Sequence, residues 1–223
     1  MRQSDVMPLL TLPSEQKDFV DWRRGRALYA VWALDLDIPV LCQASAALRR
    51  VLSNYGLAGY VRQPHLTVGL CGFPVAQPKL ADDYGLASFV TQREALQRAM
   101  SKPFCLEIGA PDSFTSAAYF SVRDLEGGVE NLRQILDADA EKSGFVPHVT
   151  FALYRAAFPL RHMLAEMQRG HALAPFRLAV GKLSWMVYEA AIIAGPLTQV
   201  VEFDLESRRF AILAPDLFEA LFK

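Results

Sequence analysis

Two short stretches of this chain carry side chains able to exchange protons near neutral pH. They are Pro64-His65-Leu66-Thr67-Val68 and Pro147-His148-Val149-Thr150-Phe151, with His148 placed 83 residues after His65. Histidine is the side chain whose ordinary pKa, about 6.5, lets it take a proton in one form and give it in the other. Threonine adds a hydroxyl that can donate to an oxygen as negative charge builds on it. In a β-strand, residues i and i+2 share a face. His65 with Thr67, and His148 with Thr150, are therefore each expected side by side, with the apolar residues between them pointing into a core. Two imidazoles and two hydroxyls meeting in one cleft suit phosphodiester hydrolysis. One neutral imidazole accepts a proton from the attacking oxygen, a protonated one donates to the departing oxygen, and no metal is demanded.

The flanks of the two motifs repeat as well. Leu48-Arg49-Arg50-Val51-Leu52 precedes the first histidine and Leu132-Arg133-Gln134-Ile135-Leu136 the second, with leucine-to-histidine offsets of 17 and 16 residues. Tyr29-Ala30-Val31-Trp32 and Tyr119-Phe120-Ser121-Val122 lie further upstream. Pro103-Phe104-Cys105-Leu106 and Pro175-Phe176-Arg177-Leu178 follow downstream. Four blocks recurring in one order indicate a duplicated unit, a sign to be sought before element-by-element reading.

Periodicity fills in the elements. Strands are predicted over 26–36, 65–71 and 104–109 in the first unit, and over 117–123, 147–155 and 176–187 in the second. Helices are predicted over 39–54, opened by Pro39, and over 91–101, 128–142 and 160–169. Two strands meeting at Gly195-Pro196 are expected within 187–206, and a short helix after Pro215. The fold class is α+β: a bilobal duplicated fold with two small, mostly antiparallel sheets, helices on the outer faces and a central groove. Residues 1–25 form an N-terminal extension without a counterpart in the repeat. Residues 26–223 form one bilobal unit, with pseudo-repeats of about 26–110 and 117–206.

Composition limits the alternatives. The chain is 52% hydrophobic and 21% charged, a folded globular composition. Its 23 Lys and Arg nearly cancel its 24 Asp and Glu, so no global basic field exists to grip long nucleic acid. Cys42, Cys71 and Cys105 are odd in number and widely spaced, which fits reduced thiols better than a disulfide framework or a zinc site. No secretory signal or membrane span is expected, and the reading is cytoplasmic. No GxSxG, Walker A or strand-linked GxGxxG occurs. His162 and His171, without matches in the first unit, are read as surface or structural residues, and Tyr60 and Phe145 as structural. The arginine pair Arg49-Arg50 reads as solvated. Tyr154, Tyr119 and Tyr29 are possible substrate-contacting residues.

On the paired tetrapeptides His65-Leu66-Thr67-Val68 and His148-Val149-Thr150-Phe151, the sequence resembles the two-histidine (2H) phosphoesterase superfamily. Within it, the sequence resembles the bacterial 2′-5′ RNA ligase / RNA 2′,3′-cyclic phosphodiesterase branch. The likeness spans about residues 26–206. It implies His65 and His148 as the catalytic acid/base pair and Thr67 and Thr150 as phosphate-binding residues, with no metal or other cofactor. It also implies hydrolysis of a 2′,3′-cyclic phosphate or 2′-linked ester, or the reverse 2′-5′ ligation. The partner implied is a nucleotide or RNA terminus, with no membrane and no obligate protein partner. Two positions depart from the branch: Gly69-Leu70-Cys71-Gly72 replaces an apolar-Phe-Leu-Gly run, and Leu153 stands where arginine is usual. A non-catalytic nucleotide or RNA-end binder and a metallohydrolase are the competing readings.

Overall fold

In the computed structural model, which describes residues 9–136, 144–170 and 173–223, the chain folds into two sheets. The first has the order β10-β9-β8-β1-β2-β3 and the second β6-β5-β4-β7. Their strands are β1 (Leu28–Asp35), β2 (His65–Pro74), β3 (Asp83–Tyr84), β4 (Phe104–Ser113), β5 (Ala117–Asp124), β6 (His148–Leu153), β7 (Phe176–Val180), β8 (Lys182–Glu189), β9 (Thr198–Asp204) and β10 (Arg209–Ile212). The helices are α1 (Gln16–Arg23), α2 (Pro39–Val51), α3 (Leu86–Arg98), α4 (Gly128–Ile135), α5 (Leu160–Gly170) and α6 (Pro215–Leu221). All pairings are antiparallel except β2 with β3. This is the two-sheet α+β arrangement expected from the repeat.

Alternation decides what is buried. On β1, Ala30, Trp32 and Leu34 face a large core shared with Leu66 and Val68 of β2, Phe120 of β5, Val149 and Phe151 of β6, and Leu41, Leu48 and Leu132 of the helices. That one cluster draws on both sheets. The helices bind the halves further: α2 lies against β6 and α5, while α4 lies against β2 and β5. On its other face, β1 presents Tyr29, Val31 and Ala33 to a second, smaller cluster with Phe73, Met186 and Leu197.

Several boundaries differ from expectation. The predicted strand 176–187 is two strands in two different sheets. β7 pairs with β4, whereas β8 pairs with β1. The chain changes sheet at Gly181, the single residue between the two strands. Residues 190–197 hold no strand, so within 187–206 the end of β8, to Glu189, and β9 are the strands, and they do not meet at Gly195-Pro196. The third helix starts at Leu86, earlier than predicted, and the C-terminal part of the predicted 128–142 helix lies outside the described residues.

The N-terminal extension joins both lobes. The Thr11 and Leu12 amides donate to the carbonyls of Phe158 and Thr115, and the Ser14 amide to that of Tyr154. Helix α1 follows, and its Trp22 packs on Tyr29 and Phe73 at centroid distances of 4.8 and 4.7 Å. Arg26 anchors the far end on Asp82 and Asp83 and lies 3.6 Å over the Phe73 ring.

Candidate active site

Each histidine is the first residue of its strand and follows a proline. The two are held alike. His65 Nδ1 lies 2.9 Å from the Gln63 carbonyl and His148 Nδ1 lies 2.7 Å from the Val146 carbonyl, each two residues back. A carbonyl only accepts, so Nδ1 carries the proton in both rings, and in the neutral form Nε2 keeps a free lone pair. Strands β2 and β6 touch, and a proton on His148 disfavours one on His65. Burial is the main force on both rings. It pushes His65 down to about 4, aided by the positive charge of Arg62, and it lowers His148 as well.

Thr67 pairs across the sheet with Ala33, and Thr150 with Tyr119. Both threonines are half-buried, and neither hydroxyl has a hydrogen-bond partner among the described residues. Asp35 stands directly opposite His65, and Ser121 directly opposite His148. Two lone-pair nitrogens and two unclaimed hydroxyls are a set that can shuttle protons and donate to an oxyanion.

Just past each motif the ladder carries a β-bulge. Val68 is the extra residue between the pairs Ala33–Thr67 and Trp32–Gly69; Phe151 is the extra residue between Tyr119–Thr150 and Ala118–Ala152. The bulges are 83 residues apart, the same spacing as the histidines. A bulge leaves a residue outside the ladder, and here arginines meet the loose carbonyls. Arg133 Nη1 donates to the Val68 carbonyl at 2.7 Å; Arg49 Nη1 reaches the Phe151 carbonyl at 3.4 Å. Both arginines come from the repeated Leu-Arg blocks, and each crosses to the motif strand of the other unit. Each also lies over a ring, Arg133 at 3.7 Å from Phe145 and Arg49 at 5.5 Å from Tyr60. The reading of Arg49 as merely solvated is corrected by this contact. Tyr60 adds a bond from its hydroxyl to the Thr150 carbonyl at 3.0 Å.

The tyrosines separate. Tyr119 stacks on Phe114 at 4.2 Å, and both rings meet the His148 imidazole edge-on, at 5.4 and 4.9 Å. Burial and the Asp112 carboxylate push the Tyr119 phenol up to about 12. Phe114 escapes sequence reasoning, since it sits in the β4–β5 turn outside the repeat. Tyr29 does not match Tyr119: the residue opposite Thr67 is Ala33, and Tyr29 lies further along β1 beneath Trp22. Tyr154 was expected on the histidine face. The bulge at Phe151 resets the alternation, and Tyr154 turns into the core, fully buried, its hydroxyl 2.5 Å from Ser113 Oγ. Tyr154→Phe should therefore cost about 1 kcal/mol of stability and leave KM within about twofold of wild type. A large rise in KM with unchanged thermal stability would contradict this placement.

His162 bonds the Tyr55 hydroxyl at 3.0 Å on α5, and His171 lies outside the described residues. The three cysteines are free. Among the described residues, no group of three or more His, Cys, Asp or Glu is placed to hold a metal, and no helix is long and apolar enough to cross a membrane.

The sequence model of the 2′-5′ RNA ligase superfamily matches residues 39–191, a stretch that includes both motifs. The chain belongs to that superfamily. Solved structures agree on the fold. Escherichia coli LigT complexed with 3′-AMP superposes with a TM-score of 0.56 at 16% identity, over 81% of this chain and 99% of LigT. LigT in apo form gives 0.51 at 15% identity, over 82% and 99%. No curated protein matches the chain in sequence. The N-terminal strap and α1 precede the segment that the superfamily model matches.

Proposed function

We propose that this superfamily member is a phosphodiesterase that opens a 2′,3′-cyclic phosphate, or cleaves a 2′-linked ester, at a nucleotide or RNA end. The observation that supports it is the matched pair of imidazoles, each with Nδ1–H on a backbone carbonyl and Nε2 left free. An attacking water gives its proton to one Nε2 as its oxygen bonds to phosphorus. The bond from phosphorus to the leaving oxygen breaks, and that oxygen takes the proton from the other, protonated imidazole. Thr67 and Thr150 donate to the non-bridging oxygens while charge grows there. Each turnover exchanges the protonation states of the pair, and proton transfer with solvent resets them. With an RNA 5′-hydroxyl in place of water, the same steps on a 2′,3′-cyclic phosphate break the bond from phosphorus to the 3′-oxygen and join a 2′-5′ bond. That LigT has been crystallised with 3′-AMP and with ATP supports a nucleotide ligand.

The test is turnover of the four nucleoside 2′,3′-cyclic phosphates by pure protein in EDTA, with products resolved by chromatography. Ring opening is the expected result. Binding of these nucleotides without turnover would support the non-catalytic reading instead, and turnover only with added divalent metal would support the metallohydrolase.

The pH profile follows from the burial of both rings. Catalysis needs one imidazole with a proton and one without. Above the pKa of the more basic ring, which lies below 6.5, the acid is lost; below about 4 the base is lost. The kcat/KM optimum is therefore expected between about pH 4 and 6.5, with a fall of about tenfold per unit on the alkaline side. A flat profile from pH 6 to 8 would contradict it.

A further inference from the structure

Arg62 is a charge that the proposed chemistry does not yet use. It stands three residues before His65, adjacent to Gln63, whose carbonyl fixes the His65 ring. Its Nε donates to the Gly195 carbonyl at 2.9 Å, and its guanidinium lies 4.1 Å over the Tyr188 ring. Tyr188 pairs with Tyr29, and Thr67 pairs with Ala33 on the same face of β1, so Tyr188 shares the face of the first motif. Arg62 is half-buried, and no carboxylate among the described residues lies within ion-pair reach of it. Arg26, Arg123 and Arg169, by contrast, are held by carboxylates: Asp82 and Asp83, Glu107, and Glu166.

An unpaired cation beside His65 disfavours the protonated ring, and its charge is felt there. The cost is offset once an anion arrives. The two imidazoles are pushed toward their neutral forms, and the residue paired with His65 across the sheet is Asp35, a carboxylate that accepts from Gln199. A phosphodiester entering this site carries a charge that a single protonated imidazole shares with the departing oxygen, and a second positive group beside it strengthens its hold. A guanidinium already oriented by a carbonyl and a ring loses little freedom in forming a two-pronged bond to phosphate.

We propose that Arg62 is a substrate-binding residue whose guanidinium takes a phosphate group of the nucleotide held between His65 and His148. This rests on the phosphodiesterase reading. The phosphate is either the scissile one or the next one along an oligonucleotide, and two substrates distinguish them. Arg62→Gln and Arg62→Lys are compared with wild type on a nucleoside 2′,3′-cyclic phosphate and on a dinucleotide ending in the same cyclic phosphate. Arg62→Gln is expected to lower kcat/KM about 10- to 100-fold, the size of a charge-assisted hydrogen bond. Arg62→Lys, which keeps the charge but not the fork, should fall between. Loss on both substrates assigns the scissile phosphate, and loss on the dinucleotide alone assigns its neighbour.

Less than a twofold change on both substrates, with wild type active, overturns the proposal and leaves the phosphodiesterase reading intact. Titration calorimetry with a dinucleotide ending in a 2′-monophosphate, which carries both phosphates, separates the two failures even if turnover is absent. Affinity lost in Arg62→Gln at unchanged melting temperature supports the contact, and equal affinity refutes it.

Discussion

Alanine in place of either His65 or His148 is expected to lower kcat/KM for a nucleoside 2′,3′-cyclic phosphate by about 10²–10⁴-fold. The reason is geometric. Each ring offers one nitrogen, because the other is committed to the carbonyl of Gln63 or Val146. Neither imidazole can act as both acid and base in one step, and no third described histidine stands on these strands to replace a lost one. The effects should not add: removing the second partner of a pair that acts as a unit costs little more than removing the first. The double variant is therefore expected near the activity of the worse single variant. Steady-state rates on the three proteins, with melting temperatures to show that each is folded, make the comparison. Either single variant keeping more than a tenth of wild-type activity would remove the histidine pair from the chemistry.

Arg133→Ala is expected to be the more destabilising of the two arginine truncations at the bulges. Arg133 is buried, donates to the Val68 carbonyl at 2.7 Å and stacks on Phe145. Truncation leaves a carbonyl inside the protein with no ladder partner, next to the strand segment that carries Thr67. The loss should be about 1.5–3 kcal/mol, a fall in melting temperature of roughly 3–12 °C for a chain of this size. Arg49→Ala is the internal comparison. Its bond to the Phe151 carbonyl is longer, at 3.4 Å, and Arg49 is only half-buried, so its cost should be the smaller of the two. Thermal melts of both variants decide this. Equal or reversed losses would show that the carbonyl contact is not what Arg133 contributes.

The repeat makes much of this architecture legible in the sequence. Matching blocks at matching order predict two related sheets. Simple alternation, valid for the first three residues of β2 and β6, puts each threonine on the face of its histidine. Alternation then fails at the fourth residue, because Val68 and Phe151 are bulged. Nothing in Leu66-Thr67-Val68-Gly69 or Val149-Thr150-Phe151-Ala152 announces an unpaired residue, so Tyr154 was expected on the wrong face. The change of sheet at Gly181 was hidden for a related reason. An apolar run has the same pattern whether its strands pair with β4 or with β1, and pairing partners are a tertiary property. Arg62 and Phe114 lie outside the repeated blocks, and the structure alone places them near the two rings.

The crossed arginines bear on how such a chain could arise. Arg49 of the first unit serves the strand of the second, and Arg133 of the second serves the strand of the first. Reciprocal contacts of this kind, residue i to j and j to i, define an isologous interface between identical subunits. Between two identical molecules, the same pair of contacts would be related by a twofold axis, and each motif strand would lean on an arginine of the other copy. Fusion of two such copies keeps the axis but frees each side to diverge. In this chain the two sides are unequal: a short, buried arginine contact on one and a long, half-exposed one on the other.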